Sequence, residues 1–178
     1  MAGSRGDERA WIRGAQSGSV PDLEALFRHH WPRAYRAAYL VVHDSGAAED
    51  IAQEAFLAAV RGLDRFDRRR PFGPWLHRIV VNRAIDWSRS RALRRESGDA
   101  WLEVVAAPAA PETEHAQVLA AALAGLSPEH RAVIVMRHLL EYTPGEIATA
   151  LGLPRGTVNS RLRRGLDELA GRLEQEVQ

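Results

Sequence analysis

The chain has 178 residues and a formal net charge of +1, with no cysteine and with arginine as its only strongly basic residue, 24 in all. That length suits one domain or two small ones. The missing cysteine excludes disulfide scaffolds, thiolate metal sites and thiol nucleophiles, and the use of arginine makes every basic contact a planar fork suited to phosphate or guanine. The N-terminal stretch MAGSRGDERAWIRGAQSGSV lacks an apolar run of signal-peptide length, and no window approaches a membrane span, so a soluble cytoplasmic protein is expected, without membrane insertion.

In chain order, helical periodicity dominates and strand alternation is almost absent. After a polar segment, 1–19, Asp22 to Val42 places Leu23, Leu26, Phe27, Trp31, Ala34, Tyr35, Ala38 and Tyr39 at helical spacing. The break HDSG precedes a second helix, striped by Ala48, Ile51, Ala52, Ala55, Phe56, Ala59 and Val60 and ending near Gly62. A basic loop, DRFDRRRPFG, leads to a third helix from about Pro74 into the mid-90s. There Trp75, Ile79, Val80, Ala84 and Ile85 face inward, and Arg78, Arg83, Arg89 and Arg91 reach solvent. Three striped helices predict a compact N-terminal bundle.

Charge is unevenly placed: residues 61–95 hold eleven Arg against three Asp, and residues 96–115 hold five acids and no Arg. The acidic stretch, with Pro108 and Pro111, reads as a linker in which only Trp101, Leu102, Val104 and Val105 are suited to docking. A 20-residue span of this kind reaches roughly 65 Å when extended, leaving two domains free to sit apart.

The second domain begins with an Ala/Leu helix at 116–125. Ser127 then caps SPEHRAVIVMRHLLE, with Pro128 at its first position. Thr143 and Glu146 have capping-box spacing. Ile147, Ala148 and Leu151 face a core, Gly152 stops that short helix, and Pro154 can start the next. Val158, Leu162, Leu166 and Leu169 are expected to be its buried side. A short helix, a glycine turn and a second striped helix is the helix-turn-helix layout. Arg155, Asn159, Ser160, Arg163 and Arg164 fall on or near the opposite side and suit base edges and phosphates. A plain helical hairpin with a solvated arginine face is the competing reading.

The segment LSPEHRAVIVMRHLLEYTPGEIATALGLPRGTVNSRLRRG resembles the C-terminal DNA-reading domain of bacterial sigma factors of the extracytoplasmic-function group, in the sigma-70 family. AEDIAQEAFLAAVRGLDRF resembles that group's segment for the clamp helices of core RNA polymerase. PFGPWLHRIVVNRAIDWSRSRAL resembles its segment that opens and reads the promoter −10 element. The resemblance implies an all-α chain: an N-terminal segment, 1–19; region 2, 20–95; an acidic linker, 96–115, threading channels that RNA later occupies; and region 4, 116–178. It implies three kinds of partner: core polymerase through its β′ clamp and β flap, promoter DNA, and an anti-sigma factor, often membrane-anchored in the family.

By the same resemblance, Asp50, Gln53, Glu54 and Leu57 meet polymerase. Asn82 contacts an unstacked −10 base, with Asp86 and Arg89 further along that side; Arg68, Arg69 and Arg70 hold the separated strand, and Phe66 or Phe72 stacks on bases. Trp75 continues the apolar stripe and is read as core. Arg137, Arg155, Thr157, Asn159, Ser160, Arg163 and Arg164 serve the −35 element. Asn159 and Arg163 depart from the family pattern, which bears on the −35 sequence and not on the docking mode. No enzymatic activity, cofactor or metal is expected. His29–His30 and His43–Asp44 lack further ligands at metal spacing, and no P-loop, G-x-S-x-G motif or catalytic triad is present. The alternative is a polymerase-independent, dimeric helix-turn-helix regulator, which would need neither a clamp-binding stripe nor a melting loop.

Overall fold

The computed structural model describes residues 5–96 and 114–176, with side chains for 6–94 and 117–175. Residues 97–113 of the expected linker, including Trp101, Leu102, Val104 and Val105, lie outside the described residues. Among the described residues the fold is all-α, as the periodicity predicts. The N-terminal half comprises α1 (Arg5–Gln16), α2 (Val20–Val42), α3 (Ser45–Gly62), a 3-10 turn (Leu63–Arg65) and α4 (Phe72–Glu96). The C-terminal half comprises α5 (Glu114–Ala124), α6 (Pro128–Ile134), α7 (Pro144–Leu151) and α8 (Arg155–Glu176).

Local chemistry sets the helix ends. The Ser19 side chain accepts from Asp22 N–H, and a proline opens α2, where its missing N–H costs nothing. That helix stops at His43, which is left-handed (φ 53°) and donates its N–H to the Tyr39 carbonyl. Asp44 follows at once as the cap of α3, one carboxylate oxygen accepting Ala47 N–H at 2.9 Å. Its other oxygen takes Arg91 Nη1 at 3.4 Å, and the Arg91 guanidinium lies 4.9 Å from the centre of the Trp87 ring. Arg91 was expected to reach solvent; it is buried instead, because a capping carboxylate and an indole face converge on it.

Small residues on α2 (Ala34, Ala37, Ala38), α3 (Ala48, Ala52, Ala55, Ala59) and α4 (Ala84) are buried, so these helices pack closely. Leu26, Val41, Leu76, Val80 and Val81 fill the space between, each contributing about 1.5–3 kcal/mol by leaving water. Within the polar segment 1–19, Arg5–Gln16 form α1, which buries Ile12 and half-buries Trp11 against the bundle.

In the C-terminal half, α6 widens into a π-helical turn over Val135–Leu139, closed by Leu140 N–H to the Val135 carbonyl. Glu141 follows in the left-handed region (φ 63°), which turns Tyr142 inward. The capping box of α7 is formed as its spacing predicts: Thr143 N–H donates to Glu146 at 2.8 Å, and Glu146 N–H donates back to Thr143 Oγ1. Gly152, at φ 64°, ends that helix.

The buried side of α8 differs from the expected one. Val158, Leu162 and Leu169 are buried, but Leu166 is exposed and Gly165 takes the inward position. A Cβ on Gly165 would stand 3.0 Å from Ile134 Cδ1 and 3.1 Å from His130 Cβ, so the missing side chain lets α8 lie close on α6.

The two halves touch, and one contiguous apolar core includes residues of both. The tether's reach leaves the halves free to sit apart, and here they are in contact. Arg33 of α2 donates to the Leu139 carbonyl at 2.6 Å and to Glu141 at 3.2 Å. His77 of α4 shares a buried hydrogen bond with the Tyr142 hydroxyl at 3.2 Å, and Arg89 bonds Glu129 of α6 at 3.0 Å.

Candidate polymerase and nucleic-acid interfaces

The helix-turn-helix is built by α7, its glycine stop and α8. With Val158, Leu162, Gly165 and Leu169 turned inward, Arg155, Asn159, Arg163 and Arg164 are exposed on the other side, and Thr157 and Ser160 are half-buried beside them. Ser160 Oγ donates to the Thr157 carbonyl, which leaves that hydroxyl oxygen free to accept. Arg137 is exposed and steadied by a bond from Nη1 to the Tyr142 carbonyl. Four arginines and an amide thus surround a helix whose first turn is open, a surface able to dock in a major groove and meet flanking phosphates.

Asp50, Gln53, Glu54 and Leu57 are all exposed on α3. Gln53 donates to Glu49, and Glu54 pairs with Arg83 of α4. Beside them runs an apolar groove of 460 Å³ between α2 and α3, lined by Val20, Leu23, Phe27, Phe56, Leu57 and Val60, with Glu24 and Gln53 on its rim. Val20, Phe27, Leu57 and Val60 are large and exposed, which a globular surface rarely clusters without a partner. Leu23, Phe27, Phe56 and Val60 all follow the expected helical spacing; Phe56 is buried as its stripe predicts, but Phe27 and Val60 are exposed and Leu23 is half-buried, because the stripe is wider than the bundle can cover.

The arginine loop leaves the 3-10 turn at Phe66 and enters α4 at Phe72. Arg68, Arg69 and Arg70 are exposed, and Asp67 shapes the turn by accepting Arg69 N–H through its side chain and Arg70 N–H through its carbonyl. Phe66 and Phe72, expected to stack on bases, are buried and ring-packed with each other, with Trp75 and, for Phe72, with His30. Here they anchor the loop's ends; Trp75, read as core, is half-buried among them.

Asn82, Asp86 and Arg89 lie along one side of α4, as expected from their spacing. Only Asp86 and Arg89 are exposed; Asn82 is half-buried, its Nδ2 donating to the Ala150 carbonyl of α7 at 3.4 Å. A cleft lined by Arg78, Asn82, Arg83, Asp86 and the end of α7 opens beside it. Asn82 thus lines this open cleft while one of its amide hydrogens is held by α7.

Electrostatics at the seam follow burial. The imidazole of His77 is pushed down to about 3 by burial and by nearby His30 and Arg33, and His43 to about 4 by burial and Arg131. Burial raises the Tyr142 hydroxyl, and it lowers Arg131 to about 10. For Glu129 burial is the largest single influence and works against ionisation, but the Arg89 hydrogen bond, a backbone hydrogen bond and the charges of Arg89 and Arg161 together hold the carboxyl below its usual range. Glu8 of α1 is likewise held low, first by its hydrogen bond with His30.

A sigma-70 region 2 family model matches residues 26–94, and a sigma-70 region 4 model matches residues 116–169, together well over half of the chain. The chain is 34% identical over 158 residues to the extracytoplasmic-function RNA polymerase sigma factor SigL of Mycobacterium tuberculosis, covering 86% of this chain and 89% of that one. It is 31% identical over 163 residues to the sigma factor SigW of Bacillus subtilis, covering 79% and 83%.

The chain belongs to the extracytoplasmic-function sigma factors of the sigma-70 family.

Against another such sigma factor, SigE of Mycolicibacterium smegmatis, it is 34% identical over 85% of its own length and spans 61% of that relative. The solved structure of CnrH in complex with the cytosolic domain of CnrY matches it with a TM-score of 0.68 at 28% identity, over 95% of this chain and 98% of the other. The fold is also that of the sigma factor RpoE from Bartonella quintana, solved with the anti-sigma factor NepR: TM-score 0.71 at 23% identity, over 87% and 98%. In this sigma factor α1 precedes the region 2 match. Its docking on the bundle was missed in the sequence, where Trp11, Ile12 and Ala15 were the signal that could have found it.

Proposed function

We propose that this chain directs core RNA polymerase to a restricted set of promoters, acting in the cytoplasm by binding and not by catalysis. Residues 20–95 serve polymerase and the −10 element, residues 96–115 form the tether, and residues 116–178 serve the −35 element. Asp50, Gln53, Glu54 and Leu57, with the adjacent apolar groove, meet the β′ clamp; the exposed carboxylates and apolar floor suit a basic amphipathic helix. Region 4 meets the β flap. Arg68, Arg69 and Arg70 hold the separated strand, and Asn82, Asp86 and Arg89 read it once the halves part. Arg155, Asn159, Ser160, Arg163 and Arg164 enter the major groove, while Thr157 and Arg137 meet its edge. An anti-sigma factor holds the chain inactive, by analogy with the CnrH complex, and the cytosolic domain of CnrY named there accords with a membrane-anchored partner.

The observation that carries this reading is the presence on one chain of a capped helix-turn-helix with an exposed arginine face and of an apolar groove on the region 2 bundle beside the exposed Asp50 and Glu54. A dimeric repressor has use for the first and none for the second. Purified chain added to core polymerase should give run-off transcripts from a specific promoter, with neither component active alone. Tight operator binding that is indifferent to core polymerase would refute it.

A further inference from the structure

The arginine loop is gripped at both ends by one helix that lies outside the region 2 match. At the entry, Gln16 at the end of α1 donates both amide hydrogens, one to the Leu63 carbonyl at 2.8 Å and one to the Phe66 carbonyl at 3.1 Å. At the exit, Glu8 near the start of α1 bonds His30 at 2.8 Å, and the His30 ring packs on Phe72 and beside Gly73 at the start of α4. Gly73 lies in the first turn of α4, where N–H groups have no partner within the helix and a carboxylate is favoured. Two turns of α1 separate Glu8 from Gln16, and buried Ile12 between them seats the helix. Between the gripped ends stand Asp67 to Pro71, with three consecutive exposed arginines whose mutual repulsion favours a splayed loop.

The geometry points to α1 as a clasp that positions the arginine loop for the separated promoter strand, with Gln16 and Glu8 as positioning residues that never touch DNA. Holding the loop in one shape removes the ordering cost that a free loop would incur on binding. This rests on the proposal that Arg68, Arg69 and Arg70 receive that strand, and the test separates the two ideas.

Gln16→Met keeps the length, helix propensity and apolar stem of the side chain but donates to neither carbonyl. Binding of a fluorescent 12-nucleotide single strand of random sequence to the full chain is followed by anisotropy at several salt concentrations, beside R68A/R69A/R70A. Gln16→Met should bind about five- to tenfold more weakly, because a loop freed of both hydrogen bonds must be ordered when the strand binds. Its slope of log affinity against log salt should fall by about one phosphate contact. Trypsin should also cut faster after Arg68 or Arg69, while far-ultraviolet circular dichroism stays unchanged. Glu8→Gln, which loses the charge at the α4 N-terminus, should show the same pattern more weakly. If the triple variant loses affinity but Gln16→Met and Glu8→Gln keep wild-type affinity and salt slope, the clasp is wrong and the loop assignment survives. If the triple variant binds as wild type, the loop assignment fails, and the clasp with it. Unfolding of Gln16→Met leaves Glu8→Gln to decide between the first two outcomes.

Discussion

Arg33→Ala should loosen the seam between the two halves and expose Asn82. The guanidinium links α2 to the end of the π-helical turn by two contacts, the Leu139 carbonyl and the Glu141 carboxylate. The ion pair is well exposed, 44% and 79% at the two side chains, so screening holds it to about 0.2–1 kcal/mol. A charge-assisted bond to a carbonyl contributes about 1.5–3 kcal/mol when buried; the exposure of Arg33 brings this to roughly 1 kcal/mol. Loss of both, about 1–2 kcal/mol, lowers the ratio of closed to open chains roughly five- to thirtyfold. Because the chain has no cysteine, S90C and A170C can carry a fluorophore pair on α4 and α8 without competing thiols. Energy transfer should shift toward longer distances in Arg33→Ala and much less in Glu141→Ala, which removes the ion pair alone. A distance distribution unchanged by Arg33→Ala would refute the reasoning, because the seam would then be held by its apolar contacts.

Acidification should destabilise the folded chain. His77 and His43 accept protons less readily folded, at about 3 and about 4, than in an unfolded chain near 6.5, so the unfolded state binds more protons below that point. Stability is full above pH 6.5 and falls toward pH 4 by up to about 1.4 kcal/mol per pH unit per histidine; denaturant titrations from pH 7 to 4 should show the decline, and H77Q should flatten it. Gly165→Val forces a branched side chain against Ile134 and His130, and should cost about 1–3 kcal/mol, lowering Tm by roughly 2–4 °C per kcal/mol in calorimetry. Replacing Arg163 and Arg164 by Glu should weaken footprinting at the −35 element and reduce its salt slope by about two, leaving polymerase binding intact; unchanged protection would count against that face.

Much of this chain was legible before its tertiary structure. Capping chemistry is local, so Ser127, Thr143 with Glu146, and Gly152 marked the helix-turn-helix within a few residues, and the 3.6-residue period set the all-helical class. The exposure of Arg155, Asn159, Arg163 and Arg164 followed from the same period. Periodicity says which face is apolar and not what covers it. Leu23, Phe27 and Val60 therefore read as core but line an open groove, and Leu166 read as buried while Gly165 holds the inward position. Phe66 and Phe72 looked like stacking platforms beside a basic loop, and only their packing with Trp75 and His30 makes them anchors.

Composition and spacing determined the elements, the recognition helix and the family resemblance, because helix period, caps and motif residues act within about ten positions of the chain. Contacts between distant residues decided the rest: Arg91 on Asp44 across 47 positions, Gln16 on the loop's entry, and Asn82 under α7. Those depend on which faces meet after the helices form, a matter of shape and close packing that no local pattern encodes.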